Sequence, residues 1–378
     1  FYGALQAIER LQLKVVEIPV IPGVGIDLAL LTEALAQRPI KACWLMGNVQ
    51  HPLGHTMPDG HKQGLMALLN AHEVPLVEDD VYAELYFGRE RPSPIKRWDA
   101  RGDSLLCGSW TKCLAPGFRV GWVVAGSHAE RIQRLQLMST LSTNVPSQLA
   151  LADMLRQGGV DAHFRRLRHT LAQRQQQMRA ALLRLFQDEV RISTPNGGYF
   201  LWLTFDARLD SRALYAQALT SGFSLAPGAL FSSQGQHNHC LRLNSAHPWS
   251  PALEAALTRL AALVHQQLDA VATQNFVWQG QVWPGQTMEW EIEDPAADGR
   301  SGDEPDENWT STLRLTLPRL GGVEARLHLT PAGVAMRLIA DSDTTRQALT
   351  AAEPRLADAL AATDVPLTGL VAELRSPP

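Results

Sequence analysis

The sequence predicts an α/β chain in which an open, mostly parallel sheet with a smaller α+β lobe is followed by a separate small α+β domain. Two patterns and a division of charge point there. Strand-length apolar segments alternate with helix-length amphipathic ones through the first third, and apolar/polar alternation of period two returns near the end. Residues 271–378 hold 16 acidic and 8 basic side chains, a net −8 that leaves +4 for residues 1–270 of a chain whose total is −4. All five lysines (Lys14, Lys41, Lys62, Lys96 and Lys112) fall in the first unit. A length of 378 residues, 45% of them hydrophobic, leaves room for two or three domains with sizeable cores.

Taken in order, residues 5–13 read as the end of a helix, 15–20 as a strand, 26–36 as a helix and 42–46 as a strand. A helix over 61–71 and short strands at 75–78, 104–108 and 119–124 continue the alternation. After Gly126 the helices lengthen, over 129–139, 147–156 and 161–186. The last carries Phe164, Leu167, Leu171, Met178, Leu182 and Leu185 at helical spacing, which marks a core stripe. Strands at 199–203 and 240–243 and an amphipathic helix over 251–268 close this unit. Residues 289–307 hold nine acidic side chains and one arginine among Pro, Gly and Ser, so a mobile, solvated loop is expected within a linker over 269–308. Beyond it, Leu313, Leu315 and Leu317, then Val323, Ala325, Leu327 and Leu329, then Val334, Met336 and Leu338 predict three strands. A helix over 344–361 and a strand at 370–374 complete the expected small domain, 309–376.

Several classes drop out. No apolar run approaches the roughly 20 residues of a spanning helix, so no membrane insertion is expected. The start, Phe1-Tyr2-Gly3, has neither an initiator Met nor a basic targeting region, and reads as a fragment. The weak positive balance of the first unit is not clustered, so no nucleic-acid partner is expected for this chain. Cys43, Cys107, Cys113 and Cys240 show no metal or disulfide spacing, which predicts reduced thiols and a cytoplasmic setting.

The sharpest local feature is Ser109-Trp110-Thr111-Lys112, followed by Pro116-Gly117-Phe118-Arg119-Val120-Gly121-Trp122. A lysine just after a strand, flanked by hydroxyls and followed by a guanidinium, joins an amine nucleophile to an anion-binding group, as a pyridoxal phosphate site requires. Glu78-Asp79-Asp80-Val81-Tyr82 ends an apolar strand, where open α/β sheets meet their ligands. An acidic residue there pairs with a protonated pyridine nitrogen, and a tyrosine three residues on reaches the ring's phenolic oxygen. Asp80 reads as a helix N-cap.

On these residues, 1–268 resemble the class I/II aminotransferases of pyridoxal phosphate fold type I, nearest the aminotransferase-like domain of MocR-type regulators and 2-aminoadipate-type transaminases. Gly197-Gly198-Tyr199-Phe200-Leu201-Trp202, Pro227-Gly228 before Phe231, and Leu241-Arg242-Leu243 follow in the family's order. The resemblance implies a partial cofactor-binding large domain over 1–126, then interdomain helices and a small lobe over 127–268. It implies Lys112 as the Schiff-base lysine, Asp79 as partner of the pyridine nitrogen and Tyr82 as neighbour of the phenolic oxygen. Ser109, Thr111 and Arg119 would hold the phosphate, and Arg242 the substrate α-carboxylate. The reaction implied is transamination between an amino acid and a 2-oxo acid, with Lys112 shuttling the α-proton. Family members form dimers with shared sites, so a homodimer is implied.

Two departures stand out. The family's Asn-Pro-x-Gly reads His51-Pro52-Leu53-Gly54, which puts an imidazole where an asparagine donates to the phenolic oxygen; Asn48 lies three residues early. The family's Gly-rich phosphate loop and first strand and helix are expected before Phe1, which would align near the aromatic that stacks on the ring. That is roughly a quarter of the domain, so the sheet is expected to be incomplete at its N-terminus.

Other motifs fail. Ser109-x-x-Lys112 lacks the S-D-N and K-T-G of serine acylases, Gly23-Val24-Gly25 does not complete a dinucleotide fingerprint, and His51, His55 and His61, like His237 and His239, do not form a metal set. Leu317-Pro318-Arg319-Leu320-Gly321-Gly322-Val323, with Arg346-x-x-Leu349 and Pro354-x-Leu356 in the helix beyond, resembles the C-terminal domain of flagellar hook-length control proteins. That resemblance implies contact with the flagellar export gate's cytoplasmic domain. Three readings follow: an aminotransferase-like protein acting on or sensing an α-amino acid, a non-enzymatic export-specificity control protein, or a gene-fusion product.

Overall fold

The computed structural model describes residues 2–273, 275–283, 286–293, 309–318 and 320–375. The chain divides into two compact units, Phe1–Ala261 and Ala262–Pro378.

The first unit opens with α1 (Tyr2–Arg10), the two-residue strands β1 (Val20–Ile21) and β2 (Gly25–Ile26), and α2 (Leu28–Gln37). Asp27 caps α2 by accepting from the amides of Ala29 and Leu30. The strand expected over 15–20 shrinks to β1, because Pro19 and Pro22 remove ladder donors on either side. Next come β3 (Cys43–Leu45), α3 (Asp59–Ala71), β4 (Leu76–Asp79), β5 (Leu105–Ser109) and β6 (Gly121–Val124). They form a sheet in the order β3-β4-β5-β6, parallel except for antiparallel β6 at its edge. Leu31, Leu35, Leu65, Met66, Leu69 and Leu76 pack as one core against this sheet, as their helical and strand spacing predicts.

The helices α4 (Ala129–Thr140), α5 (Val145–Gln157) and α6 (Val160–Phe186) follow. The expected stripe on α6 holds for Phe164, Leu171, Met178 and Leu182, all buried. The smaller lobe is an antiparallel sheet of β7 (Arg191–Ile192), β8 (Phe200–Thr204), β9 (Ala226–Pro227) and β10 (Cys240–Asn244), in the order β7-β8-β10-β9. Its helix α7 (Ser211–Thr220), absent from the expectation, is capped by Asp210, a signal present in the sequence. α8 (Pro251–Thr273) extends five residues past its expected end.

The second unit holds a six-stranded sheet: β11 (Asn275–Trp283), β12 (Gln286–Glu293), β13 (Trp309–Leu317), β14 (Gly321–Thr330), β15 (Gly333–Ala340) and β16 (Leu367–Leu374), in chain order. All neighbours are antiparallel except β15 and β16, joined through α9 (Asp343–Ala351) and α10 (Glu353–Ala361). Two expectations are corrected here. The single helix over 344–361 is broken because Pro354 has no amide hydrogen to continue it and instead starts α10. Within the linker expected over 269–308, the described residues 269–273 end α8, and 275–283 and 286–293 form β11 and β12. Glu289 and Glu291 are ion-paired strand residues, since both carboxylates reach Arg314 on β13 at 2.7 and 3.3 Å. Residues 294–308 lie outside the described residues. Gly321 turns β13 into β14 at a φ of 73°, a left-handed conformation that favours glycine. Among the described residues no helix is long and apolar enough to cross a membrane.

Candidate active site

The carboxyl ends of β4 and β5 bring the expected residues to one edge of the first sheet. Asp79 is the last residue of β4 and pairs in register with Cys107 of β5, two residues before Ser109. Asp79 is 9% exposed, and its Oδ1 is buried with no hydrogen-bond partner among the described residues. Burial raises its pKa, against backbone hydrogen bonding that lowers it. A buried carboxylate oxygen left open at a sheet edge is costly unless a donor reaches it.

Asp80 is not an N-cap. Its carboxylate is buried and accepts from Asn48 Nδ2 at 2.9 Å and from Arg91 Nη2 at 3.4 Å. Asn48 in turn accepts from Lys62 Nζ at 2.7 Å, and Lys62, fully buried on α3, also donates to the Ser93 carbonyl. Burial pushes the Asp80 acid up to about 7 and the Lys62 amine down. Glu78, also fully buried, accepts from the amides of Ile95 and Lys96. This polar layer behind Asp79 was not foreseen. The only sequence signal for it was the acidic triplet itself, since nothing in the pattern around Asn48 or Lys62 marks a buried residue.

The loop after β5 carries the lysine. Ser109 Oγ accepts from the Thr111 amide at 3.1 Å and donates to the Val120 carbonyl at 3.3 Å, which ties Ser109, Thr111 and the residue after Arg119 together. Arg119 is exposed, with a left-handed φ of 53°. Lys112 is exposed, and its Nζ lies 5.9 Å from the centre of the Tyr82 ring. Tyr82 is 4% exposed and its hydroxyl is pushed well above the ordinary tyrosine range, mainly by burial and then by Tyr199. Among the described residues, Arg119 makes no hydrogen bond to Ser109 or Thr111.

The smaller lobe supplies the remaining wall. Arg242 on β10 lies over Phe200 of β8 at 4.3 Å and over Phe231 at 5.6 Å. Its Nη1 donates to His51 Nε2 at 2.9 Å. Tyr199, which was not anticipated here, packs edge-on against Tyr82 at 5.7 Å and tilted against Phe200 at 4.6 Å. Its place in the Gly-Gly-Tyr-Phe run was the available signal. The structure thus brings Lys112 near Tyr82, stacks Tyr82 and His51 with ring centres 6.0 Å apart and bonds His51 to Arg242, with Asp79 three residues before Tyr82. Phe1 lies outside the described residues.

Two family models match the chain: "Aminotransferase class I and II" over residues 2–260 and "Flagellar hook-length control protein FliK" over residues 298–378. Among curated proteins, the chain is 52% identical over 268 residues to an uncharacterized HTH-type transcriptional regulator, YdcR, of Escherichia coli, a match covering 71% of this chain and 57% of that protein. It is 29% identical over 274 residues to aromatic-amino-acid aminotransferase 1 of Thermococcus litoralis, covering 71% and 66%. The alpha-aminoadipate aminotransferase LysN of Thermus thermophilus, solved with N-(5'-phosphopyridoxyl)-L-leucine, superposes with a TM-score of 0.67 at 27% identity, covering 71% of this chain and 70% of that one. The chain spans just over half the length of the HTH-type relative.

Proposed function

The chain belongs to the class I and II aminotransferases through residues 2–260, and from that membership we propose that its first unit holds pyridoxal 5'-phosphate and acts on or senses an α-amino acid and its 2-oxo acid. One observation carries the reading: the buried, open Oδ1 of Asp79 at the sheet edge, in the setting that also holds Lys112 and Tyr82. A pyridinium N–H is the donor that atom lacks. Ser109, Thr111 and Arg119 would hold the phosphate, two hydroxyls and a guanidinium on one loop. When bound, the cofactor supplies an electron sink for charge developing at the substrate's Cα.

The chain's own groups do the rest. The Lys112 amine takes the proton from Cα and returns it. Arg242 holds the α-carboxylate, and the packed rings of Tyr82, Tyr199, Phe200 and Phe231 limit water around it. The HTH-type names of some relatives favour sensing over turnover, and the name of the Thermococcus litoralis relative favours an aromatic amino acid.

Adding pyridoxal 5'-phosphate to the full chain should produce a visible absorption band that Lys112→Ala abolishes. A folded sample with no band refutes the reading.

A second reading is favoured by the family match at residues 298–378. Through that domain the protein would contact the flagellar export gate's cytoplasmic domain. A pull-down lost on deleting residues 309–374 supports it, and binding that survives the deletion refutes it.

A further inference from the structure

We propose that His51 is a positioning residue for Arg242: a neutral imidazole accepts from the guanidinium and so aims its remaining donors at the ligand's carboxylate. The inference rests on the reading above, that Arg242 receives an α-carboxylate.

Arginine has donors and no acceptor. At 2.9 Å from Arg242 Nη1, His51 Nε2 is therefore the acceptor, and the neutral ring carries its proton on Nδ1. The surroundings enforce that state: burial, then the Arg242 charge, bring the His51 pKa down to about 3. The ring itself is wedged edge-on against Phe200 at 4.7 Å and Phe231 at 5.3 Å, the same two rings that flank the guanidinium. Arg242 is thus held by Phe200, Phe231 and His51.

What this leaves open is informative. Arg242 Nε is buried and has no hydrogen-bond partner among the described residues. Burial also lowers the pKa of the guanidinium, with Tyr82 and Tyr199 acting the other way. With Nη1 committed to His51, a carboxylate is received through Nε and the other terminal nitrogen, a bidentate fork. The imidazole gives its one acceptor to Arg242 and keeps its Nδ1–H.

The test uses the full chain and reads His51 directly. In cofactor-free protein, ring nitrogen NMR should show His51 neutral and unprotonated at Nε2 down to below about pH 5, well under the ordinary histidine pKa. Arg242→Met should raise its titration point by more than about one pH unit. Protonation at ordinary pH, or a titration indifferent to Arg242→Met, overturns the proposal. With pyridoxal 5'-phosphate present, spectral titrations with L-leucine and L-leucinamide separate carboxylate binding from the rest. His51→Ala should weaken leucine about tenfold, the worth of a hydrogen bond to a charged group, and leave leucinamide unchanged. His51→Gln, whose carbonyl can accept from the guanidinium, should restore leucine. Equal weakening of both ligands, or no rescue by glutamine, overturns it. A wild-type protein with no band refutes the cofactor reading alone, and the NMR arm still decides His51.

Discussion

Replacing Asp80 with asparagine removes an ionisable group from a site that disfavours its charge. Asp80 is 4% exposed, and its acid is held near 7 by burial first, with the Asn48 hydrogen bond and Arg91 only partly offsetting it. An unfolded aspartate titrates near 4. Between those values the native state binds the proton and the unfolded state has lost it, so stability falls as pH rises from about 4 to about 7. Below that window both states are protonated and the difference vanishes. About 3 pKa units correspond to a ceiling of about 4 kcal/mol. In Asp80→Asn the amide oxygen still accepts from Asn48, and Arg91 keeps its 2.7 Å partner Glu84. The variant should therefore match the wild type near pH 4 and exceed it by up to about 4 kcal/mol at pH 8, the gap opening across the window. Urea unfolding followed by circular dichroism at several pH values measures it. A variant less stable than the wild type at pH 8, or a gap that does not change with pH, would show that Asp80 is a stabilising charge partner and refute the reasoning.

Two further substitutions test packing. A Cβ on Gly197 would lie 2.5 Å from the Leu85 carbonyl and 2.9 Å from Tyr86 Cα, both backbone, so Gly197→Ala should cost about 1–3 kcal/mol in thermal or urea unfolding and lower cofactor affinity by displacing Tyr199. In the second unit, the buried Glu324 carboxylate faces Arg326 at 2.7 Å and Arg314 and Arg375 at 3.7 and 3.9 Å. Glu324→Gln should cost about 1–3 kcal/mol, and unchanged unfolding would place the three guanidiniums in solvent.

Much of this fold was legible because periodicity reports burial. The β3-to-β6 alternation, the α6 stripe and the β13-to-β15 strands emerge within a few residues of their predicted bounds. What escaped depended on partners remote in sequence. Glu289 and Glu291 look like loop acids until Arg314, more than twenty residues on, is set beside them. The site divides the same way. Asp79, Lys112 and Arg242 were visible as motif residues, whereas the Lys62–Asn48–Asp80 layer and the His51–Arg242 bond join positions up to 191 residues apart, and beyond the acidic triplet nothing local announces them.

The order of strands in the second unit bears on how the chain folds. There each strand pairs with its neighbour in sequence, and only β16 waits for two helices to bring it alongside β15. Loop-closure entropy is low for such pairings, so this unit can zip from any hairpin and close last at β16. The first unit has no such shortcut. Glu17 must find the hydroxyl of Ser232 across 215 residues, and Arg242 must find His51 across 191, before the site exists. The carboxyl-terminal unit is therefore expected to fold ahead of the first one. A protease pulse during refolding should spare the carboxyl-terminal sheet first, while the first unit is still searching for its long-range contacts.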